Sequence, residues 1–390
     1  MIILSCSGGK DSTAAGLLLK ERGLDFSAIF CDTGWEAPET YAYLRDVLPG
    51  VLGEIRWLTP EVPWPERVKL HMLRASGADA ATIEAEERAE GARLAALCEG
   101  YAQEIEALVG VQYSAMVRQI LRKAIFPSRV HRWCTQELKA IPAKRFLSSL
   151  DSPTNVVGIR AEESPSRALM PEREYDAAMD CDVWRPIIAW TLDEVIAIHH
   201  RHGLRPNPLY LGSAVRVGCY PCIFSRKKEI ADLSAARIAA IRLLEQRVSE
   251  LWTARIERRG EQASKLPLTF FKAEKALPDG SYHQPIDRVM EWAKTSRGGR
   301  QFELFASGRD EGCMRWGLCN TARDRRVRVK MAWHSLNYRP RAAKLDPYRH
   351  MFGVVSDREI ARRAGVSPSV VWQMRQRSGV MAAGQSAPRI

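Results

Sequence analysis

The stretch Ser7-Gly8-Gly9-Lys10-Asp11-Ser12-Thr13 holds the groups a protein needs to cradle a polyphosphate. It follows the apolar run Ile2-Ile3-Leu4 and precedes Ala14, Ala15, Leu17, Leu18 and Leu19, so the pattern predicts strand, loop and helix in that order. Glycines let a backbone approach an anion closely, and the first free N–H groups of the helix then point at it. Lys10 adds a mobile cation, Ser12 and Thr13 add hydroxyl donors, and Asp11 can hold Mg²⁺ directly or through water. The plainer alternative is a glycine turn between an ordinary strand and helix.

The flanking elements decide what shares this loop. Residues 1–58 alternate strand, helix, strand, helix, strand, with strands at 26–30 and 51–57. Such alternation predicts a parallel sheet with helices on both faces and ligands at the carboxyl ends of its strands. Asp32, Thr33 and Gly34 then fall beside the phosphate loop. A strand at 154–160 delivers Gly158, Arg160, Glu163, Ser164 and Arg167, where arginines could fork onto phosphate or sulfate oxygens. A surface salt-bridge loop is the alternative. Further helices are expected at 137–149, 192–201 and 228–260, and a strand at 184–189. Residues 65–125 read as a charge-rich helical insertion, either a solvated helix pair or a lid. Residues 260–345 are irregular and include Cys313 and Cys319.

The chain has 390 residues, 58 Lys and Arg against 46 Asp and Glu, and a net charge of +12. This excess suits a polyanionic partner or serves solubility. No apolar run reaches the length of a membrane span, about 18 residues. The first apolar stretch flows into the phosphate loop and reads as a strand, not a signal peptide. A reducing, cytoplasmic compartment is expected, where nine cysteines point to metal or redox chemistry rather than disulfides.

The segment SGGKDST resembles the PP-loop of the ATP pyrophosphatases, whose fold is a Rossmann-like parallel sheet. Cys31-Asp32-Thr33-Gly34 with Pro38-Glu39-Thr40, and Gly158-Ile159-Arg160 with Glu162-Glu163-Ser164 and Arg167, are similar to the phosphoadenosine phosphosulfate (PAPS) reductase family. That broad family includes the ATP-using component of DNA phosphorothioation. The resemblance covers about the first 230 residues. It implies an α/β nucleotide domain over 1–230; the residues beyond read as a helical, cysteine-containing segment over 231–344, a small all-α segment over 345–380 and a disordered tail at 381–390.

Arg132-Trp133-Cys134-Thr135, with Lys139 and Pro142, resembles the segment of adenylylsulfate reductases that carries two adjacent iron–sulfur cysteines; here Thr135 replaces the second. Gly218-Cys219-Tyr220-Pro221-Cys222 resembles their second ligand pair. A C-x-x-C turn brings two thiolates to one metal. Cys134, Cys219 and Cys222 leave a [4Fe–4S] cluster one ligand short, and Cys319 is the preferred fourth, then Cys313, then Cys181. Zinc is the rival. Buried free thiols suit Cys6, Cys31 and Cys98 best. The Glu-Cys-Gly-Leu-His tail that supplies the nucleophilic cysteine of sulfonucleotide reductases is absent from the sequence.

Near the end, Ser356 with Glu359 forms a capping box, Gly365 stops a helix, and Ser367-Pro368 begins another. This resembles helix-turn-helix segments of DNA-binding proteins. Its second helix would present Ser369, Trp372, Gln373, Arg375 and Gln376 to a groove, while Arg362 and Arg363 reach phosphates. A helical hairpin packed on the enzyme is the alternative.

Together these features lead to an ATP- and Mg²⁺-dependent enzyme that adenylates nucleic acid, DNA before RNA, for sulfur insertion, with a cysteine desulfurase or other donor supplying sulfur. In that chemistry Lys10, Asp11, Asp32 and Arg160 are the catalytic candidates. The alternatives are a PAPS or adenylyl-sulfate reductase and a nucleotide-sensing DNA-binding regulator.

Overall fold

A computed structural model of the chain describes residues 1–262, most of 268–295, Trp316, Leu318, 345–352, 354–366, Pro368, Val371, Trp372 and Arg375. It contains two compact units, Met1–Cys313 and Met314–Ile390.

The first unit is built on a six-stranded sheet in the order β3-β2-β1-β4-β6-β5. Its strands are β1 (Ile2–Ser5), β2 (Ser27–Cys31), β3 (Ile55–Leu58), β4 (Thr154–Val157), β5 (Arg173–Asp176) and β6 (Cys181–Trp184). All neighbours are parallel except β5 and β6. The expected strand at 184–189 lies a few residues earlier, as β6. The polar strand Arg173-Glu174-Tyr175-Asp176 carries no apolar signal, and its charge suits an exposed sheet edge. The principal helices are α1 (Lys10–Glu21), α2 (Ala80–Val109), α3 (Ala115–Lys123), α4 (Ile141–Leu147), α5 (Leu192–Arg201), α6 (Ala235–Glu257) and α7 (Ile286–Ala293).

Side chains alternate across the central strand. Leu4 joins Leu17, Leu44 and Ile198 on one face, while Ile3 joins Ile29, Ala143 and Leu147 on the other. On α1, Gly16 allows close packing, since a Cβ there would stand 2.7 Å from Leu4 Cδ2. Each fully buried leucine adds about 1.5–3 kcal/mol.

The insertion is helical as expected, and the buried stripe of its long helix is packed into the domain while most of the rest is exposed. Cys98, Ala102 and Ile105 of α2 share one core with Val117 and Ile120 of α3, Leu244 and Val248 of α6, and Ile286 and Val289 of α7. The helical layer therefore draws residues from both sides of position 230. Among the described residues, no helix is long and apolar enough to cross a membrane.

In the second unit, α8 (Asp357–Ala364) starts at Ser356, whose hydroxyl accepts from Glu359 N at 3.3 Å. It ends at Gly365 with φ +63°, and Leu345, Phe352, Ile360, Ala361 and Val371 form a small core.

Candidate nucleotide site

The chain leaves β1 toward β2 and β3 on one side, and β4 toward β6 on the other, so the topological switch point lies between β1 and β4. The phosphate loop follows β1 and the Gly158 loop follows β4. Between them lies a cleft of about 280 Å³, lined by Ser7, Gly9, Asp11, Ser12, Gly158, Glu163, Arg167, Tyr210 and Arg216, among others. The two loops touch: a Cβ on Gly158 would stand 2.4 Å from Asp11 O, so only glycine fits. Gly8 has φ +68°, and Gly9 is the N-cap of α1.

The charged groups of the cleft are tied to one another. Lys10 Nζ lies 3.2 Å from Asp11 Oδ2, donates to Val215 O at 3.0 Å and sits 4.8 Å above the Tyr210 ring. Arg160, almost fully buried, places Nε 2.5 Å from Asp11 Oδ1 and also pairs with Glu162. Asp11 is thus the anchor of two cations, not an open Mg²⁺ ligand, and Arg160 reaches Asp11 rather than projecting into the cleft. Burial of this chain of charges explains why they pair: an isolated buried charge is costly. Arg167 pairs with Glu163, whose carboxylate also accepts from Arg160 N at 3.0 Å. The Ser164 hydroxyl caps a short turn, accepting from Arg167 N at 3.3 Å. Ser12 Oγ accepts from Ser7 N at 3.2 Å, and Thr13 is buried.

Asp32, Thr33 and Gly34 are not part of the cleft lining. Asp32 Oδ1 accepts from Gly34 N and Tyr41 Oη, both at 2.8 Å, and burial pushes its carboxyl upward. Gly34, at φ +66°, lies so close to α3 that a Cβ would stand 2.3 Å from Ser114 Cα. Thr33 donates to Glu36 at 2.9 Å. The helical layer thereby fixes this turn, with Met116 N donating to Thr33 O at 2.9 Å.

Several site residues carry little sequence signal. Asn207 donates to Gly8 O and Thr40 Oγ1, both at 3.2 Å, and so supports the loop from behind. Tyr210 Oη accepts from Lys10 N and Val217 N, each at 3.2 Å. Asn207-Pro208 reads only as a turn, and a lone tyrosine or the Arg216 at the cleft has no motif around it. Glu36, one residue beyond the Asp-Thr-Gly-Trp run, is buried beneath Thr33, Tyr41 and Lys139.

The loop that carries Tyr210 and Val217 continues into the cysteines. Tyr220 N donates to Trp35 O at 2.8 Å, and Trp35 Nε1 donates to Pro221 O at 3.2 Å. Cys134, Cys219 and Cys222 feel one another electrostatically, with Lys139 nearby. Burial pushes the Cys219 thiol up to about 11, opposed by Lys139. Lys139 is held above the ordinary lysine range, first by Cys219 and also by Glu36, Cys31 and Cys222. The donor set suits a soft metal centre, yet among the described residues no three of His, Cys, Asp or Glu are arranged to hold one metal ion. Cys319 and Cys313 lie outside the described residues. Cys181 is buried in β6 and senses Asp176, Asp182 and Asp180 rather than Cys134, Cys219 or Cys222. Cys6 and Cys98 are buried free thiols, and Cys31 is a half-buried one.

The phosphoadenosine phosphosulfate reductase domain model matches residues 1–56 and 68–225, the segments that build the cleft and the cysteine loop. The chain belongs to this family. A protein of Escherichia phage 186, described as an uncharacterized 37.8 kDa protein, is 33% identical over 331 residues, spanning 79% of this chain and 92% of that one. An adenosine 5'-phosphosulfate reductase of Allochromatium vinosum is 37% identical over 89 residues, 23% of this chain and 34% of the enzyme. One from Rhodococcus opacus is 31% identical over 100 residues, 26% of this chain and 39% of the enzyme. The chain thus spans little more than a third of those reductases. A crystal structure of PAPS reductase from Candida auris, in a phosphate complex, aligns at 15% identity and TM-score 0.33, covering 57% of this chain and 82% of that one.

Beyond the PAPS reductase domain, the second unit departs from one expectation. Arg375 does not face outward: it is 3% exposed, and its Nε lies 2.9 Å from Asp357 Oδ1. This pair joins the second helical stretch to the start of α8, which is why the arginine turns inward. Arg362 and Arg363 are exposed and pair with Glu359, and Trp372 is exposed. Ser369, Gln373 and Gln376 lie outside the described residues.

Proposed function

We propose that this PAPS reductase family member is an ATP pyrophosphatase that adenylates an oxygen of a nucleic-acid target, so that sulfur can replace it. The observation that carries this reading is the cleft at the first turn of α1, where glycine backbone and the Ser7 and Ser12 hydroxyls converge and Lys10 stands next to them on Asp11. A target oxygen attacks the α-phosphorus of ATP, the bond to the bridging oxygen breaks, and pyrophosphate leaves into the Ser7–Thr13 loop. The loop's N–H groups and Lys10 stabilise the charge that develops there. The terminal sulfur of a persulfide on a donor such as a cysteine desulfurase then attacks the atom bearing the adenylated oxygen, and AMP leaves with that oxygen. A second thiol attacks the donor's sulfur in the bridging disulfide, so that the product keeps its sulfur and the donor leaves as a disulfide with that thiol. Mg²⁺ would enter on the phosphates, with few protein ligands, as is usual for this ion. Cys134, Cys219 and Cys222, which sense one another beside Lys139, are the thiols that would approach an iron–sulfur cluster or zinc, although no three donors among the described residues are arranged for a single ion. Asp11 holds Lys10 and Arg160 in register, and Arg167 and Arg216 meet the phosphates at the mouth.

A second reading, reduction of PAPS or adenylyl sulfate, is favoured by the names of the reductases to which part of the chain is similar. One experiment separates the two. Protein purified without oxygen is assayed for pyrophosphate release from ATP, with and without DNA or RNA, beside sulfite formation from PAPS or adenylyl sulfate with a thiol donor. Nucleic-acid-stimulated pyrophosphate is expected; sulfite with ATP untouched would replace the first reading by the second.

A further inference from the structure

A second cavity lies in the helical layer, bounded by α2, α3 and α6, and the nucleotide chemistry makes no use of it. It holds about 310 Å³, at the lower end of the roughly 300–1,000 Å³ in which proteins hold small ligands. Leu94, Leu121 and Leu251 give it an apolar floor, one from each helix. Lys69, Arg122, Arg255 and Arg259 give it a basic rim, and among the described residues no carboxylate lines it.

The rim charges are unequal in their surroundings. Two further lining arginines are neutralised from outside: Arg67 by Glu87 at 2.7 Å and Arg258 by Glu90 at 2.9 Å. Arg255 donates to Lys123 O at 3.0 Å. Among the described residues, Lys69, Arg122 and Arg259 have no carboxylate in ion-pair range. Burial and the neighbouring Arg259 and Arg258 hold Arg255 below the ordinary arginine range. The ends of α3 and α6 favour a cation each through the helix dipole. That accounts for neither Lys69, which lies on a loop, nor the leucine floor between the charges. Cations facing one another across an apolar floor are relieved by an anion with an apolar body.

We propose that this pocket holds one nucleotide of a single-stranded polynucleotide, with its phosphates on Arg122, Arg255 and Arg259 and its sugar and base over the leucines. The volume admits one unstacked unit and not a duplex, the mode by which single strands are commonly recognised. The proposal takes its ligand class from the nucleic-acid reading above, but not its geometry.

The test uses the full chain and a labelled single-stranded oligonucleotide, with anisotropy followed against salt. The double variant R122Q/R259Q is expected to bind about tenfold more weakly, and the slope of log K against log salt is expected to fall by about 1.4, near 0.7 per lost contact. K69Q is a milder variant, expected to cost about threefold, and serves if the double variant melts early. Pyrophosphate release from ATP alone should not change. Unchanged affinity and slope in both variants would overturn the proposal. Equal binding of a free mononucleotide at the pocket would overturn the polynucleotide assignment. Nucleic-acid-stimulated pyrophosphate release with variants that behave as wild type sinks the pocket and spares the proposed function. Pocket-dependent binding with no pyrophosphate release does the reverse.

Discussion

Behind the lining of the phosphate cleft the two buried cations, Lys10 and Arg160, already share a carboxylate that does line it, Asp11. In the pocket between the long helices, Lys69, Arg122 and Arg259 share none among the described residues. Both places gather positive charge, but they meet an anion differently. A polyphosphate entering the cleft finds donors held in place and must compete with Asp11 for them, which favours geometry over raw attraction. An anion entering the helical pocket meets uncompensated charge, which favours strong, salt-sensitive attraction with loose geometry. Each of the following changes tests one side of that contrast.

The largest effect is expected from Lys10→Ala. It removes the mobile cation while Arg160 keeps Asp11, so the fold should survive and the melting temperature should change little. Pyrophosphate release should fall by about 10²–10³, as for loss of one preorganised charge-stabilising donor. Undiminished turnover would remove the loop from the chemistry.

Asp11→Asn reverses the perturbation. It leaves Arg160 buried against Glu162 alone and should destabilise the free protein by about 3 kcal/mol, as when one partner of a buried pair is removed. Phosphate oxygens would then replace the lost carboxylate. Added ATP should therefore raise the melting temperature more in the variant than in the wild type. An equal or smaller rise would show that polyphosphate never competes with Asp11.

How much of this was legible beforehand follows from the kind of signal each residue carries. The phosphate loop and the strand order around it were readable because glycine pairs, apolar runs and helix starts are local patterns. The partners of those residues were not. Asn207 and Tyr210 reach Lys10 and Gly8 from about two hundred positions away in the chain, and no periodicity announces that. Arg160 was read as a phosphate ligand because its loop could be placed, while its pairing with Asp11 depends on the contact of two loops at Gly158. The helical layer shows the same limit: the many charges of α2 point to solvent, which most of them meet, but Glu99 and Glu106 are spent on Arg118 at 2.8 and 2.9 Å. The caps of α8 were local and readable, whereas the inward turn of Arg375 depends on Asp357.

A third change asks whether uncompensated charge in the helical layer is a general feature. Glu245 of α6 is buried and accepts from Phe270 N at 2.9 Å and Ile286 N at 3.1 Å. Burial pushes its carboxyl from 4.5 up to about 7. The unfolded chain therefore releases this proton at lower pH than the folded one, and stability falls as pH rises through that window. The loss should reach about 3 kcal/mol once pH exceeds the folded value. Urea unfolding at mildly acidic and mildly alkaline pH should show this slope in the wild type, and Glu245→Gln should remove most of it. A slope that persists in the variant would assign it to other groups.

The smallest expected effect concerns the one place where the cleft resembles the pocket. Arg216 lines the cleft, is exposed, and has no ion-pair partner among the described residues. If the cleft works by paired and positioned charge, Arg216 contributes attraction at the mouth and little to the reaction. Arg216→Ala should then weaken ATP binding about fivefold, close to 1 kcal/mol, with the loss shrinking as salt is raised. The turnover of bound ATP should stay nearly constant, because a group that binds ground state and transition state alike changes KM and not kcat. A fall in kcat with KM unchanged would place Arg216 on the leaving pyrophosphate. The cleft would then rely on an unpaired cation as the helical pocket does, and the contrast between the two regions would fail at the site where the chemistry occurs.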